Sequence, residues 1–148
     1  MEFRTETQKE CYDKVAGWIA TLFADYPWEK LDEPGFGIVL GSAWVEVRIH
    51  PWRNDTVINA RSKVVTGAEL SLELRNFLLR KNADMVFGAF SLDAEGNILF
   101  EHTIVGSTCD PNELQASVMA VLETADEYDD YIVARWGGCR ALDQNPES

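Results

Sequence analysis

Basic residues are scarce in this sequence. Thirteen lysines and arginines stand against 25 aspartates and glutamates, a formal charge of −12. Such a field repels phosphate backbones and anionic lipids. The densest basic stretch, Arg75 with Arg80 and Lys81, is interrupted by leucine and asparagine. Neither nucleic acid nor a membrane is therefore expected as a partner. Cysteine is scarce too: Cys11, Cys109 and Cys139 are odd in number and widely spaced. That excludes a disulfide framework and leads us to expect a reducing, cytoplasmic setting. No apolar run approaches the ~18 residues of a membrane span. The opening residues Met1-Glu2-Phe3-Arg4 lack the apolar core of a secretion signal. Internal repeats and low-complexity segments are missing as well.

The residues of catalysis are equally thin. The two histidines, His50 and His102, fall on different expected strands. Glu101 and His102 are neighbours on a strand, so they point to opposite faces. No two cysteines stand at a zinc spacing. No glycine-rich phosphate loop and no nucleophile elbow occurs. Cys109 opens a helix, which can lower a thiol pKa, but Asp110 beside it works the other way. Asp93-Ala94-Glu95-Gly96-Asn97 lacks the twelve-residue ligand spacing of a calcium loop and reads as a hairpin turn. No catalytic residue, metal ligand or cofactor is expected, and the chain does not read as an enzyme.

What the sequence does have is a core. Its 148 residues are 46% hydrophobic with 16 aromatics (seven Phe, five Trp, four Tyr), the composition of one folded domain. Cys11, Val15, Trp18, Ile19, Leu22 and Phe23 follow a 3.6-residue period and predict a helix over Glu6 to Asp25. Three strands follow, near Phe36–Leu40, Ala43–Ile49 and Thr56–Val65. In the second, Val45, Val47 and Ile49 alternate with Trp44, Glu46 and Arg48. A helix is expected over Ala68 to Lys81, with Asn82 as a left-handed cap. A hairpin then joins Met85–Leu92 to Ile98–Val105. The last helix has the clearest start: Asp110 as N-cap, Pro111 at the first helical position, Glu113 at the third. Its apolar stripe runs from Leu114 to Trp136, and Gly137-Gly138 ends it. The order is α-β-β-β-α-β-β-α. Short connections imply an α+β fold with a five-stranded antiparallel sheet and helices packed against it. Residues 1–138 form the single domain, and 139–148 are expected to be a mobile tail.

Three features carry function at this level. On the second helix, Leu70, Leu74, Phe77 and Leu78 share one side, while Ala68, Leu72 and Leu79 share another, with Arg75 at its border. One stripe suffices for a surface helix. The second stripe either packs under a loop of the same chain or meets a symmetry mate in a homodimer; the dimer face Ala68, Leu72, Arg75, Leu79 is the reading adopted. On the second strand, Trp44, Glu46 and Arg48, with Trp52 just beyond, place aromatics among charges, a pattern that can anchor a partner. Trp44 could instead be covered by a neighbouring segment. In the last helix, Asp129 interrupts the apolar stripe, and a buried carboxylate needs a partner; an ion pair or a contact to a loop is expected. Asp126 reads as part of a solvated face.

The stretches Gly41-Ser42-Ala43-Trp44-Val45-Glu46-Val47, Leu78-Leu79-Arg80-Lys81-Asn82, Phe87-Gly88-Ala89-Phe90-Ser91-Leu92-Asp93 with Gly96-Asn97-Ile98, and Ala125-Asp126-Glu127-Tyr128-Asp129 running into Gly137-Gly138 resemble the YbjN family and the related fold of type III secretion chaperones. The resemblance spans Glu6 to Gly138. It implies a small acidic homodimer, joined partly through the second helix, that holds polypeptide segments along its surface without catalytic residues. The function expected is polypeptide binding, chaperone-like or adaptor-like. A sensory or regulatory module that binds a small ligand is the alternative.

Overall fold

The computed structural model describes residues 1–143. Helix α1 (Glu6–Leu22) starts where the Thr5 hydroxyl accepts the Gln8 N–H. It ends a turn before the proline, and Val15, Ile19 and Phe23 seal its inner face. A short strand β1 (Trp28–Lys30) precedes β2 (Gly35–Leu40), β3 (Ala43–Trp52) and β4 (Asp55–Thr66). Helix α2 (Leu72–Asp84) connects them to β5 (Ala89–Leu92) and β6 (Ile98–Val105). Helix α3 (Pro111–Trp136) follows, then β7 (Cys139–Arg140) and one 3-10 turn, Ala141–Asp143.

The sheet has seven strands, not five, in the order β1-β2-β3-β4-β6-β5, with β7 added to β4. Every pairing is antiparallel. The two unexpected strands have three and two residues, too short for a period-two signal, and exist because a neighbour offers free backbone groups. The uneven pattern of β4 has a cause in its register, which slips between Lys63 and Val65. Both Val64 and Val65 are consequently buried. Such a bulge adds local twist.

Helices α1 and α3 lie on one face of the sheet. The core is the alternate row of each strand (Val45, Val47, Ile49; Ile58, Ala60; Phe100) against Leu114, Val118, Val121, Leu122, Ala125 and Ile132 of α3. Each fully buried side chain of this size contributes about 1.5–3 kcal/mol. Among the described residues, the other face of β3, β4 and β6 carries no α-helix, and the 3-10 turn at Ala141 packs against part of it.

Three further expectations change. Helix α2 begins at Leu72, not Ala68, because the Ser71 hydroxyl accepts the Leu74 N–H and caps it there. It continues past Asn82 to Asp84, so Asn82 is no left-handed cap. Its side chain instead accepts from Phe90 N–H at 2.7 Å and donates to Phe90 carbonyl at 3.2 Å. The amide thus covers the free edge of β5. At the other end, Gly137 and Gly138 both take positive φ and turn the chain back onto β4. The tail expected from Cys139 begins as paired strand and 3-10 turn. Residues 144–148 lie outside the described residues.

Candidate functional site

Strand parity builds the uncovered face. Glu46, Arg61, Glu101 and Ala89 form one row across β3, β4, β6 and β5. Arg48, Asn59 and Thr103 form the next row, and His50, Val57 and Val105 the one after. Opposite charges alternate across the first row (Glu46, Arg61, Glu101) and between Glu46 and Arg48 along β3. Arg61 Nε donates to Glu101 Oε2 at 2.7 Å, and Asn59 Nδ2 donates to Thr103 Oγ1 at 2.9 Å. Arg48 donates to Glu46 at 2.8 Å and to Glu33 at 3.1 Å. Such partly exposed pairs add at most about 1 kcal/mol each. Their main effect is to hold long side chains flat while keeping both charge signs on offer. Burial, then Arg48, Arg4 and Arg61, hold the His50 imidazole below its ordinary pKa.

Two hollows open on this face and share Glu46 and Arg61. One, of about 340 Å³, also takes in Arg48, His50 and Asn59. The other, of about 320 Å³, is bordered by Trp44, Lys63, Leu99 and Ala141. Trp44 is half-buried. Its indole lies across the bare backbone of Gly37 on β2, where an added Cβ would come within 2.6 Å of Nε1. The chain that turns back at Gly137-Gly138 approaches the same hollow through Ala141.

The structure thus brings Trp44, Glu46 and Arg48 together with Asn59, Arg61, Lys63, Glu101 and Thr103. Trp52 is not part of this group. It lies eight residues along β3 from Trp44, roughly 26 Å at ~3.3 Å per residue. It sits 45% exposed at the β3–β4 turn, under the Arg53 guanidinium at 4.9 Å. The β4 and β6 members escaped sequence reasoning, although alternation within each strand puts them on the polar side. Ala141 had no sequence signal at all.

On α2, Leu74 and Leu78 face the core, while Leu72 is 74% and Leu79 68% exposed, with Arg75 exposed beside them. No described loop covers them. Ala68 precedes the helix and is half-buried against the core, so it does not share their face. Val86 and Phe87, just after α2, are exposed as well.

His102 and Asp129 have internal partners. His102 Nδ1 lies 2.7 Å from Ser117 Oγ, both turned into the helix-covered side. Desolvation holds this imidazole below its ordinary pKa, and Ser117 is only 3% exposed. Asp129 is buried against the β2–β3 turn. Ser42 donates its backbone N–H to Asp126 Oδ1 at 2.9 Å and its hydroxyl lies 2.8 Å from the same oxygen. That hydroxyl also contacts Asp129 Oδ2. Asp126 is therefore part of this contact rather than of a purely solvated face. Burial raises the Asp129 pKa, while the Ser42 hydroxyl and the Asp130 backbone N–H hold it back. Burial also pushes the Cys109 thiol up to about 11, the opposite of activation. Among the described residues, no three His, Cys, Asp or Glu side chains converge as a metal site. No described helix is long and apolar enough to cross a membrane.

Comparison with known proteins follows the same fold. The HopA1–SchA chaperone–effector complex contains a chain matching 85% of this one over 98% of its own length, with TM-score 0.65 and 8% identity. The type III secretion chaperone SycH of Yersinia pestis, solved with a fragment of YscM2, matches 77% of this chain and 96% of its own, with TM-score 0.56 and 14% identity. YbjN from E. coli matches 80% of this chain and 91% of its own, with TM-score 0.56 and 13% identity. Identities this low establish the fold and nothing finer. No curated protein matches in sequence. A family model described as TY-Chap1, T3SS (YopN, CesT) and YbjN peptide-binding chaperone 1, matches residues 10–144. With that match across nearly its whole length, on the fold those chaperones share, the chain belongs to the TY-Chap1 family of peptide-binding chaperones.

Proposed function

We propose that this protein is a non-catalytic chaperone or adaptor that holds a polypeptide segment against the open face of its sheet. Membership of a peptide-binding chaperone family over residues 10–144 carries this reading. The geometry supports a place for it. A client lying across β3, β4 and β6 meets the Trp44 ring, carboxylates of Glu46 and Glu101, and cations of Arg48, Arg61 and Lys63. Acidic surface elsewhere favours basic client segments and repels nucleic acid. The face is a few strands wide and lined by side chains of both charge signs, suited to an extended chain rather than to a reaction centre.

The working form in this proposal is a homodimer joined through Leu72, Arg75 and Leu79, whose exposure in the single chain supports it. The three cysteines are free thiols, which supports a cytoplasmic setting. The test is affinity capture of the tagged protein from its native lysate, with mass spectrometry of what remains bound. We expect one or a few reproducible polypeptides, reduced at least about tenfold by Trp44→Ala with Arg61→Glu, a loss of roughly 1.4 kcal/mol or more. Equal recovery on wild type and variant, with both folded, would remove the client from this face.

A further inference from the structure

A second surface stands apart from the open sheet face. It lies where the last two turns of α2 pass the end of α3. The two helices meet there through aromatic rings. Phe77 stacks on Tyr131 at 5.2 Å and leans on Trp136 at 5.3 Å. Beside these rings runs a groove of about 640 Å³, larger than either hollow on the sheet. Phe77 and Trp136 line it together with Arg80, Lys81 and Arg135, and Leu72, at the border of the proposed dimer face, closes one side.

Those three cations are conspicuous in a chain of charge −12. Among the described residues, ion pairs are made by Lys9, Arg48, Arg61 and Arg140. Arg80, Lys81 and Arg135 make none, although Glu73 and Asp84 also border the groove. Two of the three lie over rings instead: Arg135 over Tyr131 at 4.7 Å and Lys81 over Phe77 at 5.7 Å. Helix C-termini favour cations, which accounts for one charge at each helix end. It does not account for all three lining one groove beside Phe77 and Trp136 with no ion pair among the described residues.

We propose that this groove binds an acidic polypeptide segment bearing a leucine or aromatic side chain. The apolar side chain would lie on Phe77 and Trp136. Carboxylates would take Arg80 and Arg135 as charge-assisted, bidentate partners, with Lys81 as a third charge. A second copy of this chain fits less well. A two-fold contact sets the same patch on both sides, so Arg80 and Lys81 would face their own counterparts. The site lies in the helix layer and does not need the open sheet face to bind anything. Its client chemistry is opposite in charge to the basic segments favoured by the rest of the surface.

The probe is a fluorescein-labelled ten-residue peptide alternating glutamate with leucine and phenylalanine, compared with the same peptide carrying lysine for glutamate. Binding is read by anisotropy at low and high salt. We expect the acidic peptide to bind, the lysine peptide to fail, and salt to weaken the complex. Arg80→Glu with Arg135→Glu should weaken the acidic peptide at least about tenfold. Lys30→Glu, an exposed cation on β1 at the far edge of the sheet, should leave it unchanged. Circular dichroism checks the fold, and Arg135→Gln replaces the double variant if that one unfolds. No binding of the acidic peptide, equal affinity for both peptides, or equal loss in Lys30→Glu overturns the site. So does a wild-type dimer that Arg135→Gln dissociates, because the groove then belongs to a second copy. Peptide binding lost here but client capture retained would leave the sheet-face reading standing, and the reverse outcome would leave the groove standing.

Discussion

Asp129 is where a single residue departs most from its surroundings. It is 1% exposed, in the apolar stripe of α3, and its partner is a serine rather than a cation. Because burial raises its folded-state pKa above the ordinary 3.8, the folded protein holds a proton that the unfolded chain releases. That contribution is complete below the ordinary value and is lost as pH rises through the raised one. The contribution of this group to stability should therefore be flat above the raised pKa and grow as pH falls through it toward 3.8. Asp129→Asn keeps a side-chain contact to Ser42 and cannot ionise. Thermal melts of this variant should show a midpoint at pH 7 equal to or above wild type, and less gain than wild type as pH falls through the raised pKa toward 3.8. A large loss at pH 7 would mean that the ionised carboxylate is the form the fold needs. The need for a partner at Asp129 was legible from its place in the stripe. The identity of that partner was not, since Ser42 is 87 positions away.

At the scale of elements, the starts of helices were easier to read than their lengths. Asp110 accepts the Glu113 N–H at 2.7 Å and Pro111 occupies the first turn of α3, as the local residues predict. Asp110→Ala should cost about 0.5–2 kcal/mol in urea unfolding, with the slope unchanged. An effect below that range would show that α3 is held by its buried face alone. Helix α2 was harder. Ala68 has the right residue type and spacing for the helix, yet Ser71 caps the helix three residues later, and the backbone of Glu69 bonds Trp136 carbonyl at 2.8 Å instead. Local propensity cannot anticipate a hydrogen-bond partner from another element. The same applies to β1 and β7, and to Asn82, whose amide serves the edge of β5 rather than a helix end.

For the whole molecule, the open question with a mechanical answer is the dimer. Leu72 and Leu79 are large, exposed and seven residues apart on α2, so they sit on one face. If that face joins two copies, Leu79→Asp should halve the mass seen in sedimentation velocity while leaving the circular dichroism spectrum intact. A monomeric wild type would refute the arrangement, as would a dimer indifferent to Leu72→Asp and Leu79→Asp. The two binding surfaces make separate demands on the same molecule. The open sheet face offers paired charges of both signs, whereas the α2–α3 groove offers unpaired cations above rings.

Sequence alone determined the α+β class, the element order of the larger pieces, the core row of β3 (Val45, Val47, Ile49), the apolar stripes of α1 and α3, and the resemblance to secretion chaperones and YbjN. Each rests on periodicity or local chemistry, which acts between residues a few positions apart. Tertiary structure decided which faces remain uncovered. It joined Trp44, Arg61 and Glu101 across three strands, left Trp52 outside that group, folded the chain after Gly138 back beside Trp44, and gathered Arg80, Lys81 and Arg135 around Phe77 and Trp136. The strand pairings and the α2–α3 ring contacts connect residues tens of positions apart, and periodicity within one element carries no information about which other element will lie beside it.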